Sequence, residues 1–209
     1  MCGLAIGASA LALQARPGHA ILTAPAGSRL HQDRLDGYYF FYPDTWSPVT
    51  TSGNDVFYRN PYNVNENLFV DISSPSSSRY GDVAALGSPE AAAQRTLAQF
   101  LEELMSTRLG VRREGEVVSA TARTADDGKL YYDVEVRVRS YASRNQLAAD
   151  PRDRAEQLLE WDRRYVTVLG VANQRLYSFR LQTANDTYDR AQESLLQIAH
   201  SFRCKDVVA

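Results

Sequence analysis

Residues 129–141 read Lys-Leu-Tyr-Tyr-Asp-Val-Glu-Val-Arg-Val-Arg-Ser-Tyr, and from Asp133 onward charged and apolar side chains alternate. Val134, Val136 and Val138 fall on one side, while Asp133, Glu135, Arg137 and Arg139 fall on the other. Successive side chains of a strand point to opposite faces, so this stretch predicts an antiparallel strand with one dry face and one wet one. Asp126-Asp127-Gly128 precedes it, with a glycine able to take the positive φ of a tight turn. Residues 116–124 before that turn predict the partner strand. A second hairpin follows, 164–171 and 175–182, around a turn near Ala172-Asn173-Gln174.

Working outward, Gly37 to Pro43 is an aromatic run closed by a proline, and Asp44-Thr45-Trp46 turns the chain. Residues 55–59 and 66–72 predict two more strands, the second with alternating Leu68, Val70 and Ile72. The Ser-, Pro- and Gly-rich stretch 73–87 predicts a surface loop. Ser88-Pro89-Glu90 is a helix start: Ser88 caps free N–H groups, Pro89 suits the first helical position, and Glu90 favours the positive end of the dipole. Ala93, Leu97, Phe100, Leu101, Leu104 and Met105 form its apolar face, with Gly110 as the stop and Leu101 expected deep in the core. Residues 142–160 are polar and predict an excursion loop with a short helical stretch over 155–159. Thr187 is expected to cap a last helix carrying Tyr188, Ala191, Leu195 and Ile198 on one face. Strands outnumber helices and come as adjacent hairpins, so the class is α+β: an antiparallel β-sheet with helices packed on its faces.

The 209 residues, 44% hydrophobic and 23% charged, suit one globular domain. A net charge of −2 supplies no overall basic field, which argues against nucleic acid as partner. Residues 3–13 are an uncharged Ala/Leu-rich run, too short to span a bilayer and of the length of a signal-peptide core. Small residues before Ile21 and near Gly27 offer cleavage sites. The expected division is therefore a cleavable leader and start of the arm over 1–26, a flexible arm over 27–36, and a single domain over 37–209.

Five motifs in order resemble the PsbP family, named for the extrinsic lumenal subunit of photosystem II. Asp36-Gly37-Tyr38-Tyr39-Phe40-Phe41-Tyr42-Pro43-Asp44-Thr45-Trp46 is similar to the family's opening signature. Residues 55–59 with Glu66-Asn67-Leu68, then Gly128 to Glu135, Arg175-Leu176-Tyr177, and Ser201-Phe202 match its later strands and last helix. Asn185 to Arg190 departs from the Arg-Trp pair many members carry there, and the 142–160 excursion is longer than in the photosystem II subunit. The resemblance implies an α/β/α sandwich and a thylakoid-lumen address, peripheral to the membrane. It also implies docking onto a photosynthetic membrane complex, with photosystem II the first choice and photosystem I or the NADH dehydrogenase-like complex the others. The protein is then expected to be non-catalytic and monomeric before docking. Calcium enters by the resemblance alone, with no ligands assigned; a lumenal carrier of a small ligand or of calcium or manganese is the alternative.

The residues themselves offer little catalytic chemistry. His19, His31 and His200 are the only histidines, and none has an orienting group at suitable spacing. His200 and Cys204 stand four apart, without further ligands nearby. The acidic clusters 126–127, 150–153 and 186–189 read as solvated turns. Basic residues are more informative. Arg29, His31 and Arg34 lie in the arm; Arg152, Arg154, Arg163 and Arg164 flank Trp161, and Arg112-Arg113 follow the first helix. They form either a solvated rim or a contact patch for acidic lumenal surfaces, with Trp161 as anchor.

Overall fold

The computed structural model describes residues 23–50, 55–74, 76, 79–106, 110–143 and 157–207. Seven antiparallel strands form the main sheet. In chain order they are β3 (Ser47–Pro48), β4 (Val56–Arg59), β5 (Asn67–Ile72), β6 (Val111–Thr124), β7 (Leu130–Ser143), β8 (Gln157–Ala172) and β9 (Arg175–Ala184). Their spatial order is β3-β4-β5-β9-β8-β7-β6. A second sheet of three joins β1 (Ser28–Asp33), β2 (Tyr38–Pro43) and β10 (Arg203–Cys204) in the order β1-β2-β10.

Both hairpins form where the turn chemistry puts them. Gly128 has φ +76° between β6 and β7. Asn173 and Gln174, at φ 51° and 59°, make the two-residue β8–β9 turn, whose positive φ values match the twist of the strands it joins. Val134, Val136 and Val138 are fully buried, as the alternation of β7 requires.

Helix α1 (Pro89–Glu103) starts as the sequence predicts, with Ser88 Oγ accepting from the Ala91 N–H at 3.2 Å. It lies on β6 and β7, burying Ala93 and Phe100 against the three valines and Tyr165. Gly115 permits this approach: a Cβ there would stand 2.5 Å from Leu97 Cδ1. Leu101 is only partly buried, so the expectation of a deep core position is corrected; Phe100 holds that place. The helix also stops at Glu103, and Met105 is exposed.

Helix α2 (Asn185–His200) and the three-stranded sheet cover the opposite face. Tyr38, Phe40, Tyr177, Phe179 and Phe202 interlock there, with Phe40 and Phe179 edge to face at 5.3 Å. A short 3-10 helix, Val83–Leu86, closes a smaller cluster around Tyr132 and Leu169. The α+β class and its helices on both faces are therefore as predicted.

Three local expectations are corrected. The segment 27–36, expected as a flexible arm, contains β1, paired with β2 from Ser28 opposite Pro43 to Asp33 opposite Tyr38. Gln157–Glu160, expected in the excursion loop, already belong to β8 and pair with β7. Asn185 opens α2 two residues before Thr187, and Asp186 accepts from the Thr187 N–H instead. Residues 3–13 and the cleavage site before Ile21, like most of the 142–160 excursion, lie outside the described residues.

Candidate functional site

Strand β8 carries the basic segment, and its period of two divides that segment between the faces of the sheet. Trp161, Arg163 and Tyr165 point toward the α1 side. Trp161 packs beside Tyr165 and Phe100. The Arg163 guanidinium lies 4.4 Å from the indole centroid, and Arg113, reaching from β6, lies 5.4 Å from it. The indole thus sits between two cations, an attraction driven by the ring's negative face. Arg113 Nε and Nη1, Arg163 Nε and Tyr165 Oη are buried with no hydrogen-bond partner among the described residues. Burial raises the Tyr165 phenol pKa, while Arg163, by its charge and by an approach too loose for a well-formed hydrogen bond, and the charges of Arg180 and Arg113 oppose that shift.

Arg164 faces the other way and is buried. Its Nε and Nη2 donate to Asn185 Oδ1 at 3.2 and 3.0 Å, and Nη1 stands 3.5 Å from Glu135. Its guanidinium also covers the Tyr188 ring at 4.7 Å. The expectation that Arg163 and Arg164 share one contact patch is therefore corrected: adjacent residues of a strand cannot present their side chains to the same partner.

The expected arm divides as well. Arg29 and Arg34 are exposed, whereas His31 turns inward. Its ring stacks on Phe40 at 4.9 Å, and its Nδ1 lies 3.0 Å from Tyr58 Oη. Burial lowers the His31 pKa against the opposing pull of Asp33 and Asp55. His31 is thus a packing residue of the small sheet, which corrects its placement in a docking arm. Arg152 and Arg154 lie outside the described residues. Arg113, passed over in favour of the Arg152–Arg164 segment, joins Trp161 only through the pairing of β6 and β8 with β7. That juxtaposition is long-range and leaves no local trace in the sequence.

Carboxylates converge at one further place. Asp33, Asp36 and Asp55 each offer an oxygen within 4.8 Å of the others. The cluster has protein partners already: Arg175 Nη1 reaches Asp36 at 2.7 Å, and the Leu35 and Asp36 N–H groups donate to Asp33 Oδ1. The Tyr38 hydroxyl donates to Asp55, whose pKa is raised mainly by burial. Calcium takes six to eight oxygens, so three carboxylates with an arginine among them do not fit that ion. The cluster closes the β1–β2 turn, and no calcium chemistry follows from it.

The remaining candidates are structural. Asp126 pairs with Arg203 at 2.6 Å, and Asp127 accepts from the Tyr131 hydroxyl at 2.7 Å. His200 ends α2 beside Asp133 at 3.5 Å. Cys204 lies beyond that helix in β10, a buried free thiol whose backbone N–H donates to Tyr131 Oη. No helix among the described residues is long and apolar enough to cross a membrane.

Comparison with known proteins agrees with this architecture. The PsbP family model matches residues 26–204. PsbP domain-containing protein 1, chloroplastic, of Arabidopsis thaliana is 50% identical over 179 residues, 86% of this chain and 62% of that protein. The chain thus spans less than two thirds of that relative's length. CyanoP of Synechocystis is 29% identical over 184 residues, 85% of this chain and 83% of the relative. The solution structure of CyanoP superposes with a TM-score of 0.62 at 27% identity, covering 92% of this chain and 98% of that one.

Proposed function

The chain belongs to the PsbP family, and from that premise we propose that it is a non-catalytic protein of the chloroplast thylakoid lumen that docks onto a photosynthetic membrane complex. Photosystem II is the first choice of complex, by the family's name-giving member. The chloroplastic relative supports the compartment, and CyanoP, from a cyanobacterium, supports a photosynthetic setting.

The observation that carries the docking reading is the stack of Arg113, Trp161 and Arg163 at the end of β8. A large aromatic with arginines beside it is the composition of interface anchors. Donors without acceptors carry an uncompensated desolvation cost. An acidic group of a partner, laid across the two guanidiniums, would supply countercharge. Arg29 and Arg34 provide further exposed positive charge on and just after β1, the kind that speeds encounter more than it adds affinity.

Affinity isolation of the tagged protein from detergent-solubilised thylakoids tests the reading. Subunits of one photosynthetic complex should co-purify with the wild type and be depleted with Arg113→Glu/Arg163→Glu. Recovery of no membrane-complex subunit with a folded wild-type protein would contradict it.

A further inference from the structure

Helix α1 rests on β6 and β7, and beside it a cavity of about 360 Å³ opens over β5 and β9. That volume lies in the range of small-molecule sites. Leu86, Leu169 and Leu176 give it apolar walls. Three charged side chains also line it: Asp71 from β5, Arg180 from β9 and Arg95 from α1.

Arg180 is 7% exposed. Its guanidinium is held between Phe100 and Phe69, 4.0 and 4.8 Å from the ring centroids, and Nη1 donates to Glu103 at 2.7 Å. Its Nε is buried with no acceptor among the described residues. In the β5–β9 register Asp71 stands opposite Ser178, and Phe69 opposite Arg180. Asp71 and Arg180 are therefore diagonal neighbours on one face, a separation of roughly 7–8 Å between backbone positions. Among the described residues they form no ion pair with each other, Arg180 being paired with Glu103, and Asp71 accepts no hydrogen bond. Burial raises the Asp71 pKa, with Arg180 opposing that shift.

A part-buried carboxylate with no ion-pair partner and a buried guanidinium whose Nε lacks an acceptor share a cleft with both apolar and polar walls. We infer that this cleft binds a zwitterionic small molecule of the α-amino-acid type with an apolar side chain. Such a molecule carries its ammonium and carboxylate on one carbon. The ammonium donates to Asp71, the carboxylate accepts from Arg180, and the side chain lies against Leu169 and Leu176. A purely anionic ligand would meet Asp71, and a purely cationic one would meet Arg180, with Arg95 also on the lining. This site is independent of the Trp161 surface and does not rest on the docking reading.

The probe is L-phenylalanine, titrated calorimetrically into the full chain. N-acetyl-L-phenylalanine, which lacks the ammonium, and L-phenylalaninamide, which lacks the carboxylate, are the comparisons. Saturable binding of phenylalanine is expected, weakened about ten-fold or more for each analogue because a buried charge is left unpaired. Replacing Arg180 risks the α1 contact with Glu103, so the variant is Ser178→Leu, which fills the cavity opposite Asp71 from a half-buried position. It should abolish binding while its circular dichroism stays that of the wild type. The inference is overturned if phenylalanine shows no saturable binding, if both analogues bind as well as it does, or if folded Ser178→Leu still binds it.

Discussion

Arg164 Nη1 stands 3.5 Å from Glu135 Oε2 on the α2 side of the main sheet, with both side chains largely withdrawn from water. Reversing the charge at Arg164 would place a second carboxylate beside Glu135 and remove both bonds to Asn185. Breaking a buried pair costs about 3–5 kcal/mol, because the surviving charge loses its partner. Urea unfolding of Arg164→Glu should show a loss of that size, and Arg163→Glu a far smaller one. Equal losses would mean that the two side chains do not face opposite ways.

On the α1 side, depth of burial separates two neighbours. Phe100 is 1% exposed and packs against Tyr165 at 4.9 Å, whereas Leu101 is only partly buried at the edge of that cluster. Phe100→Ala should cost about 3–5 kcal/mol, the range for a large core aromatic. Leu101→Ala should cost visibly less. Thermal and urea denaturation of the two variants check this ranking.

The hairpins and the start of α1 were legible because their signals are local: Asp-Asp-Gly and Asn-Gln at turns, alternation along β7, and Ser-Pro-Glu at the helix start. Strand β1 leaves little local signal because its sequence, Ser-Arg-Leu-His-Gln-Asp, has only one aliphatic residue. The signal available was the Asp36-Gly37 step behind it, where Gly37 takes φ +75° and lets the chain return as β2. Part of the proposed docking surface is legible in Trp161 and Arg163. Arg113 is not, since two strand pairings separate it from Trp161, and Arg164, although adjacent to Arg163 in sequence, faces the other side of the sheet.

Cys204 supplies a pH-dependent test. Its buried thiol lies beside Tyr131 and against Gly170, where a Cβ would come within 3.0 Å of the sulfur. Burial is the main cause that pushes its pKa up to about 11 from 9.0. A raised value means that the folded state holds the proton more tightly than the unfolded chain does. The stabilisation is therefore complete below the unfolded pKa and is lost as pH rises through the folded one. Wild-type stability should decline between pH 9 and about 11 more steeply than that of Cys204→Ala. Thiol reagents at neutral pH should label Cys204 only on unfolding. Rapid labelling of Cys204 in the native protein, separated from Cys2 by peptide mapping, would contradict its burial.

The docking account is tested most directly by rebinding to salt-washed thylakoids across a range of ionic strength, wild type against Arg113→Glu/Arg163→Glu. Charges at an interface rim are screened as salt rises, with a Debye length of about 10 Å at 0.1 M and 3 Å at 1 M. The wild type should rebind at low salt and be released at high salt without detergent. The variant, folded by circular dichroism, should rebind weakly throughout because the cations beside Trp161 have become repulsive to an acidic partner. A folded variant that rebinds as well as the wild type at every salt concentration would contradict the assignment of this surface to docking.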